Sequence, residues 1–202
     1  KNIKFSDIDE KITGKMKYVG DNQDKDLLHV KLVLSDIARG KIKRIKTDKA
    51  KNIKGVVKIY TAQNTPETHY NAFHWYEGKN SLEDERILSE EARFYGDRIA
   101  AVVAESKEAA KKAARLVEVE YEEMEPYLDP EKVREEKPNL NIYDNPFANF
   151  EFSYGEPEKA FKKDYEIFED RVTTPKIHHA AMENHSCLAY PAEDGRLTVL
   201  SP

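Results

Sequence analysis

Apolar and polar positions change period several times along these 202 residues, and the changes mark the elements. "DLLHVKLVLS", 26 to 35, combines apolar residues with partial alternation and predicts a strand that is at least half buried. "SDIARG" breaks it, and "KIKRIKT", 41 to 47, predicts a second strand anchored by Ile42 and Ile45. "DKAKNIKG" then reads as a helical turn closed by Gly55, since glycine takes the left-handed backbone a helix end needs. "VVKIYT", 56 to 61, predicts a third strand.

The clearest unit is "RIAAVVAESKEAAKKAARLVEVEY", 98 to 121. Ile99 to Ala104 read as a strand, and Ser106 is placed to cap a helix by accepting from an amide in its first turn. Ala109, Ala110, Ala113, Ala114 and Val117 mark one apolar helical face, small enough for close approach to a sheet. "VEVEY" returns to period two. Strand, helix, strand predicts an α/β or α+β unit. A proline-studded stretch, 121 to 150, follows and reads as an irregular connection with one helical turn near 130 to 137. Beyond it, "EPEKAFKKD" predicts a brief helix, and "YEIFEDRVTT" alternates as a strand would. The stretch up to Ala189 reads as strand-like, and "RLTVL" as a further strand after a turn at "AEDG". About 50 residues would bury little core, so this piece reads as the opening of a larger domain.

Composition narrows the classes. The 38 acidic and 33 basic residues leave a net charge of -5, which is no nucleic-acid footprint. The run from Arg39 to Lys58 holds nine basic residues and one acid. It lacks the interleaved aromatics of a stacking platform, and acids at 83 to 91 and 118 to 125 dilute its field. A solvated basic face outweighs polyanion binding. No apolar run is long enough for a transmembrane helix, and the amino terminus has no signal-peptide core, so neither nucleic acid nor membrane is expected as a partner and a cytoplasmic location is the default. One cysteine excludes an intrachain disulfide. Lys1 at the start and a strand-like run stopping at Pro202 predict that both ends are cut.

Candidate chemistry concentrates in "KIHHAAMENHSCLAY", 176 to 190, which holds His178, His179, Glu183, His185 and Cys187. On a strand, His179, Glu183 and His185 would share a face; on a helix, His185 would turn away. Neither spacing is HExxH, the zinc pattern. A metal site, a Cys187–His dyad and a structural or supporting role all remain open, and the last outweighs the others. Cys187 reads as a small apolar residue of a buried strand, and Glu183, if internal, needs hydrogen-bond donors. His69, His74, Trp75 and Tyr76 sit in a polar, aromatic-rich loop, 68 to 85, where loop packing outweighs a ligand site. A glycine-rich dinucleotide loop is absent from the sequence.

Taken in order, several stretches resemble one family. "ITGKMKYVGD" resembles its opening "TGxAxYxxD", and "FYGDRIAAVVAESKEAAKKAARLVEVEYEEMEP" resembles its "YxGxPVAxVVAxxxxxAxxAAxxVxVxYExLP". "SYGEPEKAF" and "HHAAMENHSCLAY" resemble the entry to its cofactor domain. The family is that of the large molybdenum-cofactor subunit of xanthine dehydrogenases and aldehyde oxidases. Asp36 and Arg39 stand where it favours proline and histidine. The resemblance implies an α+β fold, with an α/β hammerhead domain over 1–125, a linker over 126–150, and over 151–202 the start of a molybdopterin-binding domain. It implies a fragment of a xanthine dehydrogenase-like enzyme that hydroxylates a purine or other heterocycle with oxygen from water. Molybdopterin with molybdenum would belong to the complete, oligomeric enzyme, with iron–sulfur centres and often FAD on partner domains or subunits. No cofactor is expected on the fragment itself, whose partners would be those domains and the remaining molybdopterin-binding region. The catalytic base and the glycine-rich cofactor loops would lie beyond this sequence, so the fragment is expected to be inactive. Glu183 and His179 would help shape the cofactor domain without touching substrate. The alternatives are a non-catalytic scaffold or binding module of the same architecture and, weaker, a metallo-hydrolase using His179, Glu183 and His185.

Overall fold

A computed structural model describes residues 5–22, 26–71, 83–136, 152, 154–162 and 166–202. The elements, in chain order, are α1 (Ile8–Ile12), β1 (His29–Leu34), β2 (Gly40–Lys46), α2 (Asp48–Lys51), β3 (Val56–Thr61), β4 (Glu91–Ala92), β5 (Arg98–Ala104), α3 (Lys107–Ala114), β6 (Glu118–Glu123), α4 (Pro130–Glu136), α5 (Pro157–Phe161), β7 (Leu188–Pro191) and β8 (Leu197–Leu200). They fall into two compact units, one of residues 28–157 and one of residues 1–27 with 158–202. Among the described residues no helix is long and apolar enough to cross a membrane.

The unit of residues 28–157 is built on two antiparallel three-stranded sheets, ordered β1-β5-β3 and β4-β2-β6. The strand–helix–strand stretch therefore does not make a parallel crossover: β5 and β6 end in different sheets, which resolves the α/β or α+β choice as α+β. Ser106 caps α3 as its position predicts, its Oγ accepting from the Ala109 amide at 3.1 Å. The alanine face of α3 packs into a core of Ala50, Ile59, Val102, Ala113 and Val117. Gly55 has φ of 87° and carries the chain from α2 into β3, with its carbonyl accepting from the Glu105 amide at 2.8 Å.

The basic run meets its counter-charge across a strand pair. β2 and β6 align Lys41 with Glu122, Arg44 with Glu120 and Lys46 with Glu118, with a register shift between Ile42 and Arg44. Lys46 pairs with Glu120, Lys49 lies 2.5 Å from Glu118, and Lys43 lies 3.6 Å from Glu122. Ile45 and Val119, opposite each other, turn inward to the core. The charges cover one face of this sheet and neutralise one another there.

In the other unit, the stretch expected to be a strand at 165–174 is not one: residues 166–174 form no strand and are exposed throughout. Alternation describes a strand only where a neighbour supplies the ladder and a surface to cover one face, and among the described residues no such neighbour covers Ile167, Phe168 or Val172. The predicted strands near Ala189 and at "RLTVL" do form. β7 and β8 make a four-residue hairpin, with Leu188 opposite Leu200 and Tyr190 opposite Thr198.

Candidate functional site

The stretch from Lys176 to Ser186 is neither strand nor helix, so neither regular arrangement applies to the histidine cluster. The rings of His178 and His179 stack at 5.3 Å, 5° from parallel. The Ala180 amide donates to His178 Nδ1 at 2.9 Å. Ala180 itself has φ of 47°, a left-handed backbone uncommon outside glycine. The chain thus turns between His179 and Ala181, and the alternation that would align His179 with Glu183 and His185 is interrupted. Glu183, His185 and Cys187 share the lining of an open concavity of about 520 Å³ with Ala181, Ser186, Ser201 and Pro202; His179 is not part of it.

All of these titratable groups are solvent-exposed. The exposure of Cys187 corrects the expectation of a buried thiol. Its strand starts only at Leu188, and among the described residues β7 and β8 form a two-stranded hairpin with no layer over Cys187. Glu183 is likewise exposed, so no desolvation penalty has to be offset at its carboxylate. Among the described residues no group of three or more His, Cys, Asp or Glu is placed to hold a metal ion. In the long loop, His69 is exposed, while His74, Trp75 and Tyr76 lie outside the described residues, as do residues 137–150 of the expected linker.

A constellation that sequence reasoning passed over holds the base of that loop. Asp97 is completely buried and accepts from Ser89 Oγ at 2.8 Å, the Arg93 amide at 3.2 Å, Arg93 Nε at 3.1 Å and the Arg98 amide at 2.9 Å. Burial pushes its carboxyl up, but these donors outweigh burial and hold it below the ordinary carboxylate value. Arg93 Nη1 donates to the Asp84 carbonyl at 2.8 Å, and Arg98 reaches the Tyr70 hydroxyl at 3.3 Å and Glu85 Oε2 at 3.1 Å. Tyr70 and Glu85 exchange backbone hydrogen bonds. The available signal was "RFYGDR", where Arg93 and Asp97 stand four apart around Gly96, which has φ of 93°. A second fastening involves Arg39. Its guanidinium lies 4.4 Å from the centre of the Tyr127 ring and donates to the Glu125 carbonyl at 2.9 Å, fixing the chain as it leaves β6.

Residues 13–125 match the family model of the "aldehyde oxidase and xanthine dehydrogenase, a/b hammerhead domain". The chain belongs to this family. Residues 133–202 match the molybdopterin cofactor-binding domain, so the chain couples a hammerhead domain to cofactor-domain sequence. The xanthine dehydrogenase molybdenum-binding subunit of Escherichia coli O157:H7 is 30% identical over 197 residues, covering 95% of this chain and 26% of its own length. A probable xanthine dehydrogenase subunit of Bacillus subtilis (strain 168) is 32% identical over 191 residues, covering 94% and 25% respectively. A crystal structure of the Cu,Mo-CO dehydrogenase in its carbon monoxide reduced state superposes with a TM-score of 0.79 at 27% identity, over 98% of this chain and 27% of that one. The chain thus spans about a quarter of the length of these relatives.

A molybdopterin carries a phosphate, which asks for cations or converging backbone amides. Among the described residues the concavity beside Glu183 has no lysine or arginine in its lining and presents a carboxylate instead. The residues that line it do not fit the cofactor by themselves.

Proposed function

We propose that this chain is the amino-terminal part of a molybdenum-cofactor subunit, xanthine dehydrogenase-like in hydroxylating a purine or other heterocycle with oxygen from water, and that it is inactive alone. The observation that carries this reading is the exposure of apolar side chains along the segment after residue 157. Phe168 is 89% exposed and Met182 99% exposed, with Ile167, Val172 and Ile177 also open to solvent. An isolated two-stranded hairpin such as β7–β8 is marginal in water without further strands or a covering layer. Further sequence of the same domain would supply both, and the roughly quarter-length match to the relatives supports the same conclusion.

On this reading 1–125 is the hammerhead domain, 126–150 a linker and 151–202 the opening of the cofactor domain. Glu183 and His179 then support the completed domain and take no part in bond-making. The complete, oligomeric enzyme carries molybdopterin with molybdenum, with iron–sulfur centres and often FAD on partner domains or subunits. Purified 202-residue chain assayed with hypoxanthine and with an aldehyde, in the presence of an artificial electron acceptor, is expected to show no turnover and no stoichiometric molybdenum. Turnover by this polypeptide alone overturns the proposal.

A further inference from the structure

The chain leaves β6 through a segment that folds on itself. Asp129 Oδ1 accepts from the Glu131 amide at 2.9 Å and the Lys132 amide at 3.3 Å, and the Asp129 carbonyl accepts from the Val133 amide at 3.0 Å, which starts α4. Val133 is half-buried and lines a cleft of about 130 Å³ together with Pro126, Tyr127 and Leu128. Seven residues are too few for a helix to persist unaided in water, so α4 depends on the chain that precedes it. That chain is in turn attached at Arg39. The Arg39 carbonyl accepts from the Met124 amide at 3.0 Å. Its Nη1 donates to the Glu125 carbonyl at 2.9 Å while the guanidinium lies 4.4 Å from the centre of the Tyr127 ring. The backbone before Arg39 is pinned as well. Ser35 Oγ donates to the Ile37 carbonyl at 2.8 Å and accepts from the Ile37 amide at 3.2 Å, and the Ser35 amide donates to the Asp97 carbonyl at 2.8 Å.

We infer that the Arg39 side chain is a latch that makes 126–136 an ordered extension of the 28–157 unit, so that this unit ends at α4 and not at β6. The inference rests on the reading of 126–150 as the connection between two domains and narrows it. The hammerhead match stops at residue 125, and the cofactor-domain match begins at 133, inside α4. The compact unit nevertheless runs on through α4. The join between the two matched sequences therefore lies in folded chain, and Arg39 spans it. Its guanidinium holds Glu125, the last residue of one match, and Tyr127, beyond that match. A guanidinium can stack on a ring with its face while donating to a carbonyl from its edge, so one side chain fixes two nearby points of the strap. Pinned backbone on the Arg39 side and the Asp129 cap on the other leave the strap held at both ends.

Amide exchange followed by NMR in the 202-residue chain tests this. Protection at Lys132 and Val133 reports on the latch, and protection at Val102, on the middle strand of β1-β5-β3, reports on the fold. Arg39→Ala is expected to lower protection at Lys132 and Val133 by roughly tenfold and to leave Val102 unchanged. Tyr127→Leu keeps an apolar side chain and the Glu125 contact, and should lower the same protection by about threefold. The double variant is the sharpest comparison. Because one guanidinium serves both contacts, adding Tyr127→Leu to Arg39→Ala should cost nothing further. Losses that multiply, or unchanged protection in Arg39→Ala, overturn the latch and leave the two-domain reading intact. So does an absence of protection at Lys132 and Val133 in the unaltered chain. If Arg39→Ala also lowers protection at Val102, Tyr127→Leu decides: a loss confined to Lys132 and Val133 supports the latch, and no loss overturns it. Equal protection at Val133 and Val102 in the unaltered chain makes 126–136 part of the core, and removes the linker reading together with the latch.

Discussion

At the scale of single residues, Asp97 is where electrostatics and fold meet. Its carboxylate receives four hydrogen bonds in a fully buried position and ties Ser89, Arg93 and Arg98 to one point. Because these donors outweigh burial, its folded pKa lies below the unfolded value. The unfolded chain therefore takes up the proton first on acidification. The stability contributed is fully present above the unfolded pKa of about 3.9 and is lost as pH falls through the lowered folded value. Asp97→Asn is expected to cost about 2–4 kcal/mol at neutral pH by urea denaturation, and to flatten the acid limb of the stability profile. Parallel acid limbs in the two proteins would assign that sensitivity elsewhere. Ser106→Ala is expected to cost about 1 kcal/mol, the usual worth of a helix cap. These residues differ in legibility. Ser106 acts on an amide three positions away, so its role can be read along the chain. Asp97 draws on Ser89, Arg93 and Arg98 through a turn that only the fold closes, and Cys187 looked apolar because sequence cannot say which strands gain a covering layer.

Among the elements, close approach of strands depends on one position in particular. Gly40 lies where β2 meets β6, and a Cβ there would stand 2.7 Å from both the Glu122 carbonyl oxygen and Ile37 Cδ1. The Ile37 methyl can move, but the backbone oxygen belongs to the paired strand, whose Glu123 is the register partner of Gly40. Gly40→Ala is expected to destabilise the 28–157 unit by about 1–3 kcal/mol, as overpacking does. Gly20→Ala, with nothing within 4 Å of its added Cβ, serves as the neutral comparison in the same denaturation experiment. Strands β1, β2, β3, β5 and β6 were readable because each has a partner and a core to face, but β1, expected to be at least half buried, turns only Val33 to the core and leaves Val30, Leu32 and Leu34 exposed. The same period at 165–174 predicted a strand that is not there. Period two records which side chains could share a face, and a ladder still needs a second strand to make it.

For the whole molecule, among the described residues the buried core lies in the 28–157 unit, and none after residue 157 is buried. That contrast limited what could be read of the candidate site: the family resemblance located the histidine cluster in a cofactor domain, yet the residues that would surround it are not among its neighbours here. It also makes a prediction about proteolysis. Arg171 and Lys176 are exposed on chain that is neither helix nor strand, whereas the lysines of β2 sit in a hydrogen-bonded ladder. A protease needs an extended stretch of about ten residues outside any helix or ladder, which 166–177 already is and which β2 becomes only by opening the sheet. Trypsin should therefore cut the 202-residue chain after Arg171 and Lys176 at least about tenfold faster than within β2. Mass spectrometry of an early time course reads the order directly, and first cuts between Lys41 and Lys46 would contradict the stability difference. If the chain is part of a longer subunit, as proposed, the two early sites should become resistant in that subunit, because a layer covering Ile167, Phe168 and Ile177 would also take the backbone around them out of reach. If the sites stay open in a molybdenum-loaded subunit, residues 166–177 form a surface arm of the finished enzyme, and the exposure of their side chains is its normal state.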